Sequence, residues 1–194
     1  KMKMSKRTWA EVSLDALQHN YQVLTKDLPE GCRFLGVVKA DAYGHGAVPV
    51  ARELQKLGAG YLAVSNYEEA LQLRRGDVTL PILILGYTPV EFARDQAALH
   101  ITQEVHSLDY GRQLSEQLEG TGLTLTVHMK IDTGMSRLGF FAYDRPETVP
   151  ELVELCSLPN LHVEGAFMHF AVADTPSELD YTQMQHQRFM NVLD

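Results

Sequence analysis

Apolar runs of five to eight residues alternate with helix-period segments along almost the whole chain. The runs are FLGVV at 34 to 38, YLAVS at 61 to 65, LPILILG at 80 to 86, ITQEV at 101 to 105, TLTVHMKI at 124 to 131 and HVEGAFMH at 162 to 169. Each reads as a buried strand. A strand followed by a helix cannot form a hairpin with the next strand; the helix carries the chain back, so the two strands lie parallel through a right-handed crossover. The chain is therefore α/β with a parallel sheet. A doubly wound sheet and a (β/α)8 barrel both fit this order. No G-x-G-x-x-G follows the first strand, which weakens the dinucleotide-binding version. Eight strands would close a barrel and only six are present, so a barrel cut after about six βα units, a piece of a longer protein, is the expectation.

Helix signals sit between the runs. Leu14, Leu17, Tyr21 and Leu24 share one face of the first helix, with Ser13 placed to cap its free N–H groups. The next helix, 47 to 57, carries Pro49 in its first turn and stops at Gly58. Asn66 with Glu69 three residues on resembles a capping box, and Gly76 ends that helix. Ser107 opens another that Gly120 closes, while Thr175, Pro176 and Glu178 start a helix that runs to the terminus.

Of 194 residues 45% are hydrophobic, enough for one compact core, and no repeat or low-complexity linker divides them. A net charge of -8 argues against a nucleic-acid-binding surface, since that affinity rests on clustered lysine and arginine. Cys32 and Cys156 form no C-x-x-C pair, so neither a metal site nor a disulfide framework is indicated, and free reduced thiols in a cytoplasmic protein are expected. No apolar stretch approaches the roughly 18 residues that cross a bilayer. The opening KMKMSKRTW reads as an expression remnant before a native MSKRTW. Residues 1 to 12 are taken as an N-terminal extension or strand and 13 to 194 as the barrel domain.

The first strand ends in VVKADAYGHGA, residues 37 to 47. Lys39 emerges at the C-terminal end of that strand, the mouth where barrel enzymes place their chemistry. A partly desolvated ammonium loses its proton more easily, and a neutral amine attacks an aldehyde carbon, which suits a Schiff-base lysine. Gly44 and Gly46 permit a tight turn, and Tyr43 supplies a hydroxyl donor. Arg137, after the Gly134-Met135-Ser136 turn, offers a planar fork for a carboxylate or a phenolate oxygen, or an ion pair with Asp132. Lys130 would meet like charge near Arg137 unless an anion intervened; the plain alternative pairs it with Asp132. His169 ends the sixth run, where a histidine is commonly a hydrogen-bonded core residue.

VVKADAYGHG closely resembles the pyridoxal-phosphate attachment motif of bacterial alanine racemases, and the likeness continues through VHMKIDTGMSRLGF at 127 to 140 and EGAFMHFAVAD at 164 to 174. Three motifs in the right order, covering the chain from about Trp9 to its end, make the resemblance specific. It implies the (β/α)8 barrel, pyridoxal 5'-phosphate bound as a Schiff base on Lys39, and Tyr43 on its phosphate. It implies Arg137 on the cofactor's 3-oxygen and the substrate carboxylate, and His169 beside the ring. In some members the lysine matching Lys130 is carbamylated, and the same is expected here. No metal is implied, and His45 and His128 are read as structural.

The resemblance further implies interconversion of L- and D-alanine, supply of D-alanine for peptidoglycan, a cytoplasmic homodimer and no membrane contact. The opposite base is a tyrosine of the partner's C-terminal β-domain, absent from this sequence together with most phosphate contacts, so the 194 residues alone are expected to be inactive. The alternatives are a serine racemase domain of a glycopeptide-resistance protein and a non-catalytic pyridoxal-phosphate-carrying barrel. Basic amino-acid decarboxylases share the barrel but differ after the lysine.

Overall fold

The structure is a computed structural model that describes residues 8–194. Its sheet is parallel and ordered β1 (Leu35–Val37), β2 (Tyr61–Val64), β3 (Ile82–Ile84), β4 (Ile101–Val105), β5 (Leu125–Asp132), with β7 (Leu161–Phe167) beyond β5. The six runs are all strands. A seventh, the two-residue β6 (Phe140–Phe141), lies against the end of β5 at Ile131 and Asp132. It is too short to carry a period, which is why the sequence gives no sign of it.

Because side chains alternate along a strand, the sheet has two distinct faces. On the helical side Leu62, Val64, Ile82 and Ile84 pack against α3 (Ala47–Leu57) and α4 (Tyr67–Arg75) through Ala51, Leu54 and Leu73. Leu125, Val127 and Ile131 pack likewise against α6 (Leu108–Gln117) and α7 (Thr148–Ser157) through Leu114, Leu152 and Leu155. Each fully buried leucine or isoleucine contributes about 1.5–3 kcal/mol. The opposite parity, His128 and Lys130 on β5, faces a cleft.

Capping follows the sequence in part. Ser13 Oγ accepts from Ala16 N–H at 3.1 Å and Ser107 Oγ from Tyr110 N–H at 3.2 Å. Gly58 ends α3 in the left-handed conformation. Thr175 makes no side-chain cap; a 3-10 turn over Pro176–Glu178 leads into α8 (Leu179–Leu193) instead. In α1 (Leu14–Thr25) only Leu17 and Tyr21 of the expected apolar face meet the core, while Leu24 is 64% exposed. The expected N-terminal extension lies outside the described residues over 1–7, and residues 8–12 form no strand. Both cysteines are free and exposed.

Gly139 joins the Arg137 loop to β6 at φ +128, and a Cβ there would lie 2.7 Å from Lys130 O and 2.8 Å from Asp132 N. Backbone cannot yield as a side chain can. Gly139→Ala is expected to cost at least about 1–3 kcal/mol in urea unfolding; an unchanged midpoint would contradict this packing.

Candidate active site

Lys39 is held out at the mouth of the cleft by an unusual turn. Ala40, Asp41, Ala42 and Tyr43 all have φ between +51 and +53, so α2 (Lys39–Tyr43) winds left-handed. L-residues resist this at about 1–2 kcal/mol each. Ala42 N–H reaches Val38 O at 2.9 Å, and Gly46 N–H reaches Asp41 O at 2.8 Å. Asp41 Oδ1 accepts from Ala47 N–H at 2.7 Å, tying the turn to α3. Glu69 ties it to α4: Oε1 accepts from Ala40 N–H at 2.7 Å, and Oε2 takes Ser65 N–H and Ser65 Oγ–H, both at 2.8 Å. Asn66 does cap α4, its Oδ1 accepting from Glu69 N–H at 2.9 Å. The Glu69 carboxylate, expected to close a capping box, instead serves the turn beside Lys39.

The second motif is fixed by Asp132. Its Oδ1 accepts from Gly134 N–H and Ser136 N–H, each at 3.0 Å, and so shapes the turn that leads to Arg137. Among the described residues neither Lys130 nor Arg137 forms an ion pair with it. α8 clamps the same loop. Tyr181 hydroxyl donates to Gly134 O at 2.6 Å, and buried Gln185 donates to Thr133 Oγ1 at 3.1 Å and His169 O at 3.2 Å. Gln185 thus joins the Arg137 loop to the His169 segment. A glutamine inside a terminal helix gave no sequence signal for this role.

Lys39, Tyr43, Lys130, Arg137 and His169 line one cleft of about 810 Å³ at the C-terminal end of the sheet. His169 lies two residues beyond β7, not at its last position. Lys130 is 6% exposed, with Nζ 4.8 Å from the Phe167 ring centre. Burial first, then the Arg137 charge, push its pKa down to about 8, against smaller opposing effects of Asp132 and Glu104. His169 is also pushed down, by burial and by Arg137, Lys130 and Lys39. Several basic groups therefore crowd a partly dry cleft, an environment suited to a phosphate, a phenolate or a carboxylate. An aldehyde on such an anion would find the Lys39 amine, and the donor set fits pyridoxal 5'-phosphate.

Two further polar groupings share this face of the sheet. A bulge between β5 and β7 turns Glu164 inward, where it accepts from Tyr61 hydroxyl at 3.0 Å and meets His128 Nε2 at 2.8 Å. Burial pushes Tyr61 up to about 12, while the His128 hydrogen bond holds Glu164 below the usual carboxylate range. Glu104, on β4, is fully buried and meets His106 Nδ1 at 2.9 Å. His128, read from the sequence as structural, also lines the cleft, and His45 Nδ1 lies 2.9 Å from Ala42 O, locally supporting the turn. Among the described residues there is no metal-binding cluster and no helix long and apolar enough to cross a membrane.

Residues 12–194 match the family described as alanine racemase, N-terminal domain. The chain is 44% identical over 185 residues to an alanine racemase of Desulfovibrio desulfuricans, covering 93% of this chain and 48% of that protein. It superposes on the alanine racemase of Clostridium difficile 630 in complex with cycloserine with a TM-score of 0.93 and 43% identity, covering 99% of this chain and 52% of that one. A histidine racemase of Leuconostoc mesenteroides superposes with a TM-score of 0.82 and 32% identity, over 91% of this chain and 46% of that one. The chain spans about half the length of the relatives it matches.

The lowered Lys130 pKa has a signed consequence for stability. Below pH 8 the folded state carries a buried cation at its full cost; between 8 and the ordinary lysine value of 10.5 the unfolded chain binds the extra proton, so stability rises with pH. In carbon-dioxide-free buffer, stability relative to Lys130→Met should improve by on the order of 2 kcal/mol between pH 7.5 and 10. Parallel urea titrations check this, and an unvarying difference would contradict it.

Proposed function

We propose, for a chain that belongs to the alanine racemase family, that this cleft binds pyridoxal 5'-phosphate through Lys39 and is half of a site that interconverts L- and D-alanine. The observation that carries the reading is the convergence of Lys39 with Tyr43, Lys130, Arg137 and His169 on one cleft at the C-terminal end of the sheet. That arrangement joins an amine for an aldehyde carbon to a set of donors for anionic oxygens.

When bound, the coenzyme supplies an electron sink for the bond broken at the substrate's α-carbon. The chain's own residues do the rest. Lys39 Nζ would hold the coenzyme covalently through its aldehyde carbon, and its amine would move the α-proton on one face. Tyr43 hydroxyl donates to the phosphate. Arg137 fixes the substrate carboxylate and the phenolic oxygen with its fork of N–H groups. His169, which lines the same cleft, would stand on the ring side of the coenzyme. Lys130, carbamylated, becomes an anion that steadies Arg137 and relieves the repulsion between the two cations.

One base cannot reach both faces of the α-carbon. The second belongs to the partner subunit of a homodimer, a tyrosine in a C-terminal β-domain of the whole protein, which also completes the phosphate contacts. The product D-alanine would serve peptidoglycan synthesis in the cytoplasm. A second reading keeps the chemistry and changes the substrate side chain to serine or another amino acid; likeness to a histidine racemase supports it, because this architecture accommodates more than alanine. A coenzyme-carrying barrel without turnover is the remaining alternative.

The test is the full-length protein, assayed for D-alanine and D-serine formation from the L-forms. Alanine turnover is expected, falling by about 10³-fold or more in Lys39→Ala. Turnover of serine alone would move the function to the second reading, and activity with neither amino acid would overturn the racemase reading in favour of the carrier.

A further inference from the structure

Glu104 is fully buried, yet half of its carboxylate is idle. Oε1 meets His106 Nδ1 at 2.9 Å, while Oε2 has no partner among the described residues. On the His106 side no described group donates to it, Thr88 Oγ1 included, which is likewise unpartnered. That ring is stacked on Tyr110, with centroids 4.9 Å apart, and lies edge-on to Tyr87. Tyr110 hydroxyl is committed to Thr88 O at 2.6 Å. The neighbouring strand β5 offers a candidate donor for Oε2.

Strand register identifies it. Glu104 on β4 lies opposite His128 on β5, and His128 Nε2 is engaged by Glu164. Two residues along β5 on the same face stands Lys130, whose Nζ makes no hydrogen bond to a described residue and rests over the Phe167 ring. Diagonal neighbours across adjacent strands are within reach of long side chains, and a lysine has four rotatable bonds with which to swing. The charges of Glu104 and Lys130 already act on each other.

We propose that Glu104 is the proton acceptor for carbamylation of Lys130, and that its acid form then donates Oε2–H to the carbamate. This rests on the reading that Lys130 is carbamylated. In the step, the lone pair of neutral Lys130 Nζ attacks the carbon of dissolved carbon dioxide. The N–C bond forms, one C=O π pair moves onto oxygen, and one N–H proton passes to Glu104. Before it the pair is amine and carboxylate; after it, carbamate and carboxylic acid. The buried charge stays at one negative unit, and two adjacent anions are never formed. Lys39, Arg137 and His169 on the cleft side favour the new anion. Asp132 opposes it, but its Oδ1 is occupied by the amides of Gly134 and Ser136.

The full-length holoprotein, equilibrated with ¹³C-labelled carbon dioxide, gives a carbamate carbon signal by NMR. Its apparent carbon dioxide affinity is measured from pH 8.5 to 9.5 at fixed dissolved carbon dioxide. Lys130 is then mainly neutral, and the wild type is expected to bind independently of pH because the released proton stays on Glu104. In Glu104→Gln the proton goes to solvent, so affinity rises about tenfold per pH unit. His106→Phe retains the carboxylate and the flat profile, and Glu104→Thr repeats the measurement if the glutamine variant does not fold. A wild type as steep as Glu104→Gln overturns the proposal. A wild type with no carbamate signal overturns the carbamylation reading and the proposal with it.

Discussion

Four successive L-residues at positive φ hold Lys39 at the mouth of the cleft, and the chemistry proposed for the site depends on that turn being kept. At about 1–2 kcal/mol for each residue, the conformation persists only because its surroundings over-determine it. Asp41 binds the turn to α3 and Glu69 binds it to α4 and to the end of β2, so the helices on the outside of the sheet fix the position of an amine on the inside. Lys39 is consequently placed by rigid elements although it belongs to a connection.

Charge balance supplies the second constraint. Lys39, Lys130, Arg137 and His169 converge where water is partly excluded, and the one acid of the second motif, Asp132, is occupied by backbone amides. Such a cleft favours anions, which is the property that a phosphate-bearing coenzyme and a carboxylate substrate both require. Removal of the Lys130 charge by carbamylation would resolve the most buried part of this repulsion. The idle oxygen of Glu104, on the neighbouring strand, offers a place for the proton that this chemistry liberates.

Much of this was legible from the residues, because strand period and parity are local properties. The alternation of apolar runs with helices gave the parallel α/β order, and VVKADAYGHG placed Lys39 beyond a strand. What local patterns cannot express is which distant group meets which. Ala-Asp-Ala-Tyr carries no left-handed signal, since only the contacts of Glu69 and Asp41 impose that winding. Glu69 looked like half of a capping box because its spacing from Asn66 is right, but the turn competes for its carboxylate. Gln185 and Glu104 act through tertiary neighbours 16 to 52 positions away in one case and across a strand register in the other. Leu24 has the right helical spacing for burial, and the packing of α1 leaves it in solvent.

The most direct test of the account is borohydride reduction of the full-length protein loaded with pyridoxal 5'-phosphate, followed by peptide mapping. The account predicts a stable pyridoxyl label on Lys39 Nζ, within the peptide that contains Tyr43. A label on another lysine, or none in a protein that retains the coenzyme, would contradict it.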